Sequence, residues 1–203
     1  MPMQKEKDNM KEIILASQSP RRRDLLTLCG LPFLVDASEV DESIREKDPS
    51  AVVSELSKRK AHAVFDRHPH AMIIGADTVV AIDQNILGKP ADETDAMRML
   101  RLLSDKTHQV YTGVTILYRS ADSVVTEDTF FCKTDVTFFD LTEESILSYI
   151  SSGAAMDKAG AYGIQDRGCL FVRSIRGDYN NVVGLPISML MQKLTPLLTE
   201  TPA

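Results

Sequence analysis

Asp77 stands inside the apolar run Met72-Ile73-Ile74-Gly75-Ala76-Asp77-Thr78-Val79-Val80. An ionised carboxylate in the middle of a buried strand is costly unless it is paired or holds a metal. The neighbouring residues are not turn formers, which weighs against an Asp that merely bonds local backbone. Gly75 and Ala76 leave room beside it for a bulky ligand. Lys60 repeats the oddity on a helix. Val53, Leu56, Lys60 and Val64 follow spacings of three, four and four, so the lysine lies in line with the apolar stripe. An ammonium snorkelling past the core and a cleft filled with phosphate account for that position equally well.

A second set of cations sits at a helix start. Ile13-Ile14-Leu15-Ala16 reads as a short buried strand, Ser19 as an N-cap and Pro20 as the first helical residue. The helix runs about three turns, through Leu25, Leu26 and Leu28 to a stop at Gly30. Arg21, Arg22 and Arg23 therefore occupy a helix N-terminus, where cations oppose the dipole and free N–H groups attract anions. A bound phosphate chain would explain them. Gly88-Lys89-Pro90 puts another lysine on a rigid loop, without the glycine-rich lead-in and Ser/Thr of a Walker A motif. Glu42 belongs to an acidic run with Glu39, Asp41 and Glu46. Such runs are usually only solvated, but Glu42 could be a second carboxylate for a metal at Asp77. The stretch from Asp157 to Gln165 is glycine-punctuated with one aromatic, Tyr162. It is either a plain surface loop or a loop that brings backbone near a planar base, with Gln165 reading the edge. The four histidines show no metal-ligand spacing.

The elements that must position these residues alternate between strand and helix. Phe33-Leu34-Val35 reads as a strand, and Asp48-Pro49 opens a helix to about Phe65. Residues 71–82 form a strand buried on both faces, and Asp83-Gln84-Asn85 turns it back into Ile86-Leu87. A helix over about 93–103 carries Ala96, Met99, Leu100 and Leu103 on one stripe. Val110, Val114, Ile116 and Tyr118 sit in one strand, Ala121-Asp122-Ser123 turns, and Val124 to Phe139 returns. Thr142 caps a helix ending at Gly153, Gly168 to Ile175 reads as a strand, Gly177 to Pro186 as a turn, and the last helix starts near Pro186. The pattern predicts a mixed α/β protein with long, twisted central strands.

The chain has 203 residues, enough for one domain or one domain with two lobes. Its net charge of -6 gives no global electrostatic case for a nucleic acid polymer or an anionic membrane. An anionic substrate would need a local cation cluster or a metal. Cys29, Cys132 and Cys169 have neither disulfide nor metal spacing, as expected of a reducing compartment. No apolar run reaches membrane length, and residues 1–11 read as a flexible cytosolic N-terminus before a single domain over 12–203.

Taken in order, Ser17-Gln18-Ser19-Pro20-Arg21-Arg22, Gly75-Ala76-Asp77-Thr78, Lys89-Pro90, Tyr111-Thr112-Gly113-Val114, Asp157 to Gln165 and Gly184-Leu185-Pro186 resemble the Maf family of nucleoside triphosphate pyrophosphatases. The resemblance implies the fold of inosine triphosphatases, a long twisted mixed sheet flanked by helices, with two lobes around a deep cleft. It implies cleavage of the α–β phosphoanhydride with a divalent metal, magnesium or manganese, in a cytoplasmic homodimer. By motif match Asp77 is the proton acceptor. Arg21, Thr78 and Gln165 match positions linked to substrate choice. Ser17, Arg22, Glu42, Lys60 and Lys89 match other cleft residues, substrate-binding ones apart from Glu42, the expected partner of Asp77 on the metal, whose place Asp41 or Glu39 could also fill. Gly-Ala-Asp-Thr with Ala-Gly-Ala-Tyr-Gly-Ile-Gln resembles the dTTP/UTP branch, which also accepts some modified pyrimidine nucleotides. Gly88 departs from the Glu that many relatives carry there. The rival readings are a nucleotide-binding regulator of cell division and septum formation, and clean-up of inosine or xanthosine triphosphates.

Overall fold

The computed structural model describes residues 11–199 apart from 38, 84 and 121. Residues 1–10 of the expected N-terminal segment, the turn residues Gln84 and Ala121, and the last four residues lie outside the described set. The elements run β1 (Ile13–Ala16), α1 (Pro20–Thr27), β2 (Leu34–Val35), α2 (Pro49–Phe65), β3 (Met72–Ile82), β4 (Asn85–Leu87), α3 (Glu93–Leu103), β5 (Thr107–Arg119), β6 (Val125–Phe138), α4 (Glu143–Ser151), β7 (Val172–Arg176), α5 (Tyr179–Val183) and α6 (Ile187–Thr199). One seven-stranded sheet is ordered β2-β1-β3-β5-β6-β7, with β4 also on β3. β1 is parallel to β2 and β3, and the remaining pairings are antiparallel, so the sheet is mixed as expected. Among the described residues no helix is long and apolar enough to cross a membrane.

Two glycines decide how closely α2 approaches the sheet. A Cβ on Gly75 would stand 2.3 Å from the Ser57 carbonyl oxygen and 2.8 Å from the Ala61 nitrogen. A Cβ on Gly113 would stand 2.3 Å from the Val53 carbonyl oxygen. Gly113 pairs directly with Asp77 across the β3–β5 ladder. The expectation that Gly75 leaves space for a ligand is therefore corrected: that space holds the backbone of α2. Beneath the helix, Ser57 Oγ bonds Thr115 Oγ1 at 2.9 Å, which satisfies two buried hydroxyls.

Four local expectations change, one being that the stretch from Gly177 to Pro186, expected to be a turn, holds the short helix α5 capped by Asp178. Helix α1 is eight residues, shorter than about three turns. Leu25 and Leu26 are buried but Leu28 is 75% exposed, so the apolar pattern stops facing the core and Gly30 closes the turn at φ +69°. Arg167–Phe171 forms a 3₁₀ turn where a strand was expected, because the Asp166 carboxylate accepts from the Gly168 N–H and turns the chain. The 157–165 stretch is not a plain surface loop: Gly160 through Ile164 are buried.

Candidate active site

Parallel strand β1 pairs with β3 only from Met72 to Gly75, and β4 joins the same side of β3 only from Val80. Between those points residues 76–79 have ladder partners on β5 alone among the described residues. A cavity of about 620 Å³ opens at this notch. Asp77 and Thr78 line it from β3, Ser17, Arg21 and Arg22 from the β1–α1 segment, and Lys60 from α2. Glu42, Lys89 and Gln165 reach it from three separate loops. These nine candidates border one space, while Arg23, Glu39 and Asp41 do not line it. Their roles are argued below.

Alternation along β3 sends Asp77 to the face that α2 covers and Thr78 to the other. Lys60 Nζ donates to Asp77 Oδ1 at 2.5 Å and lies 2.7 Å from Glu42 Oε1. The Lys60 and Asp77 side chains are only 11% and 10% exposed, while Glu42 is 58% exposed. One ammonium therefore sits between a buried and an open carboxylate. Burial pushes the Glu42 carboxyl up, but the Lys60 hydrogen bond and charge, with help from Lys89 and Arg22, leave it below its ordinary value. Of the acidic run, Glu42 is the carboxylate that meets Lys60. Asp41 instead accepts from the Ser43 N–H and hydroxyl.

Arg22 works mainly as a strut. Its Nε donates to the Gly184 carbonyl at 2.8 Å, Nη1 to Ser17 Oγ at 3.2 Å and Nη2 to Thr78 Oγ1 at 2.9 Å. Two of its five N–H groups remain for a ligand. Burial lowers its pKa, against the opposing pull of Asp77. Thr78 Oγ1 in turn bonds Thr112 Oγ1 at 2.9 Å, and Thr112 donates to the Asn181 carbonyl at 3.0 Å. Asn181 is fully buried and donates through Nδ2 to Val110 O and Thr134 Oγ1. Sequence reasoning placed Thr112 in a matching motif and Asn181 in an expected turn, but gave neither a role in the site. Their only signal was polar chemistry at positions that strand alternation and the Gly184 turn bury.

Arg21 crosses the cavity. Its Nη1 meets Asp157 Oδ2 at 2.8 Å and Nη2 meets the Asp157 carbonyl at 3.3 Å. Burial would raise the Asp157 carboxyl, but hydrogen bonds from Lys158 and Arg21 outweigh it and hold the group down to about 2. Lys89 and Gln165 are exposed to the cavity, and among the described residues neither has a side-chain hydrogen-bond partner. Ser17, Arg21 and Arg22 between the end of β1 and the first turn of α1, with Lys60 of α2 and Lys89 of a loop on the same cavity, form a site suited to phosphate.

A family model described as Maf-like protein matches residues 12–197. The chain belongs to the Maf family. Among its relatives, the dTTP/UTP pyrophosphatase of Bacillus cereus (strain ATCC 10987 / NRS 248) is 51% identical over 193 residues, covering 95% of this chain and 93% of the relative. The dTTP/UTP pyrophosphatase of Geobacillus sp. (strain WCH70) is 53% identical over 189 residues, covering 93% and 99%. In fold, this Maf chain is similar to a HAM1 protein from Coxiella burnetii, with a TM-score of 0.51 at 14% identity over 92% of this chain and 100% of that one. That likeness supports the inosine triphosphatase-like architecture.

Among the described residues no group of three or more His, Cys, Asp or Glu side chains forms a ready metal cage. The donor set still fits a magnesium-type ion. Such an ion is commonly held by one or two carboxylates and completed by substrate phosphates and water. Asp77 and Glu42 already converge on one cation, the Lys60 ammonium.

Proposed function

We propose that this Maf protein hydrolyses dTTP and UTP to the nucleoside monophosphate and pyrophosphate. The observation that carries the reading is the gathering of Arg21, Arg22, Lys60, Lys89 and Asp77 around one cavity, in a chain about half identical to relatives named for that activity. In this reading Arg21, Lys60, Lys89 and the two spare N–H groups of Arg22 hold the triphosphate, with N–H donors from the start of α1. Thr78 and Gln165 face the rest of the nucleotide. Asp77 accepts the proton of a water that attacks the α-phosphorus in line with the departing pyrophosphate. Glu42 and Asp77 would hold a divalent ion, magnesium or manganese, which supplies neutralisation of phosphate charge. Proton acceptance at Asp77 is worth roughly 10²–10⁴ in rate. The larger share of catalysis falls to the fixed cations around the phosphates.

Gln165 can offer one donor and one acceptor to the imide edge shared by uracil and thymine. The working unit in this proposal is a cytoplasmic homodimer, which sedimentation of the purified protein tests. The functional test is pyrophosphate release from dTTP, UTP, CTP and ITP, with and without a chelator. Release from dTTP and UTP that stops with chelator is the expected result. Preference for ITP, or no release from any nucleotide, would overturn the assignment.

A further inference from the structure

Lys158 borders the cavity and looks like one more phosphate-binding lysine. Its surroundings say otherwise. The ammonium donates to Ala154 O at 2.6 Å and to Asp157 Oδ1 at 2.6 Å, and it is ion-paired with Asp166 Oδ2 at 3.3 Å. Its side chain is 11% exposed. Two of its three donors are spent inside the protein, and two carboxylates already offset its charge.

The contacts beyond it form a chain with a direction. Asp157 holds Arg21 on one wall of the cavity. Asp166 also accepts the Tyr149 hydroxyl at 2.9 Å, and that hydroxyl accepts the Gly163 N–H at 3.0 Å. Gln165 lies between Gly163 and Asp166 in sequence, so its backbone is pinned on both sides. Gly163 supplies an independent observation. A Cβ there would stand 2.4 Å from Lys158 Cε and 2.5 Å from Asp166 Oδ2. The lysine–carboxylate pair therefore passes directly over the loop, and glycine is the residue that lets it.

We infer that Lys158, with Asp166 and Tyr149, is a positioning device that fixes the loop carrying Gln165 and thereby selects a pyrimidine imide edge. The inference rests on the function proposed above and adds a residue to it. A glutamine amide can turn over to pair with either a uracil or a cytosine edge. Discrimination therefore depends on where the loop places that amide against the base. The Lys158 network fixes the loop that carries it.

Lys158→Met removes the charge and keeps most of the stem. The expected result is that the ratio of kcat/KM for UTP over CTP falls at least about tenfold, since small misplacements at a reacting complex can cost as much as about a hundredfold. Tyr149→Phe, which deletes one hydroxyl, should move the ratio the same way. Inhibition by inorganic triphosphate, which has no base, should stay within about twofold of the parent in both variants, because the direct bonds of Arg21 to Asp157 remain in each. A lysine that binds phosphate would instead weaken UTP, CTP and inorganic triphosphate together, and that result overturns the inference. Amide hydrogen exchange over residues 159–166 does not depend on turnover and should quicken in both variants; unchanged exchange also overturns it. Absence of UTP turnover in the parent protein defeats the functional reading instead, and exchange together with triphosphate binding then decides between positioning and phosphate contact.

Discussion

Lys60 Nζ lies 2.5 Å from Asp77 Oδ1, beneath a helix that reaches the sheet only because Gly75 and Gly113 lack side chains. The proposed proton acceptor is thus ion-paired, nearly buried and held from above by a long helix.

Asp77→Asn keeps the shape and an acceptor for Lys60 but cannot take a proton. Turnover of dTTP should fall at least about 10²-fold while the unfolding midpoint changes little. Native turnover in the purified variant would remove Asp77 from the chemistry. Lys60→Met is the opposite case. It strands a buried carboxylate, and breaking a buried pair from one side costs about 3–5 kcal/mol. Urea titration should register that loss, and a loss below about 1 kcal/mol would place the pair in water like an ordinary surface bridge.

Gly75→Ala should act through α2. The added Cβ meets backbone, the Ser57 carbonyl at 2.3 Å, and backbone cannot swing aside as a side-chain tip can. Overpacking of this kind typically costs about 1–3 kcal/mol. The helix shift also carries Lys60 away from Asp77, so kcat should fall with stability. An alanine variant with native stability and rate would mean that the approach of helix to strand is looser than these distances.

The sequence made the unusual residues legible and left their partners dark. Asp77 and Lys60 each broke an apolar pattern, and both proved buried, facing one another. Strand and helix limits for α2, β3 and α3 followed from caps and periodicity because these signals are local. The close approach at Gly75 was misread because a strand glycine says only that something comes near, not what. Arg22 looked like a pure phosphate ligand. Its bond to Gly184, 162 positions away, has no local sequence signal. The same holds for Arg21 and Asp157, 136 positions apart.

Lys89 and Arg22 should therefore behave differently when truncated. Lys89 is exposed on its loop and, among the described residues, bound to no other side chain. Lys89→Ala should leave thermal stability unchanged and raise KM for UTP. A lost charge-assisted contact of about 1.5–3 kcal/mol corresponds to roughly ten- to a hundredfold. Arg22→Ala removes three internal hydrogen bonds, so it should lower the unfolding midpoint as well as affinity. If both variants melt like the parent, the strut role of Arg22 is wrong.

His108 offers a pH test away from the chemistry. It is fully buried, stacked edge-on against Phe138 and Tyr162, and its Nε2 bonds the Tyr162 hydroxyl at 2.8 Å. Its Nδ1 has no partner among the described residues, and burial pushes the imidazole down from 6.5 to about 4. Between those values the unfolded chain takes up a proton that the folded one refuses. Stability from this group is complete above pH 6.5 and declines as pH falls toward 4, by up to about 3 kcal/mol. Asp157 works in a separate window: its contribution is present above pH 3.8 and is lost as pH falls through about 2. His108→Gln keeps a polar partner for Tyr162 and cannot charge. Subtracting its stability from that of the parent should give a curve that slopes only between pH 6.5 and 4. A flat difference would mean that the imidazole finds a second acceptor when it ionises. Tyr162 borders the cavity, so the neutral imidazole would then no longer be what fixes that wall.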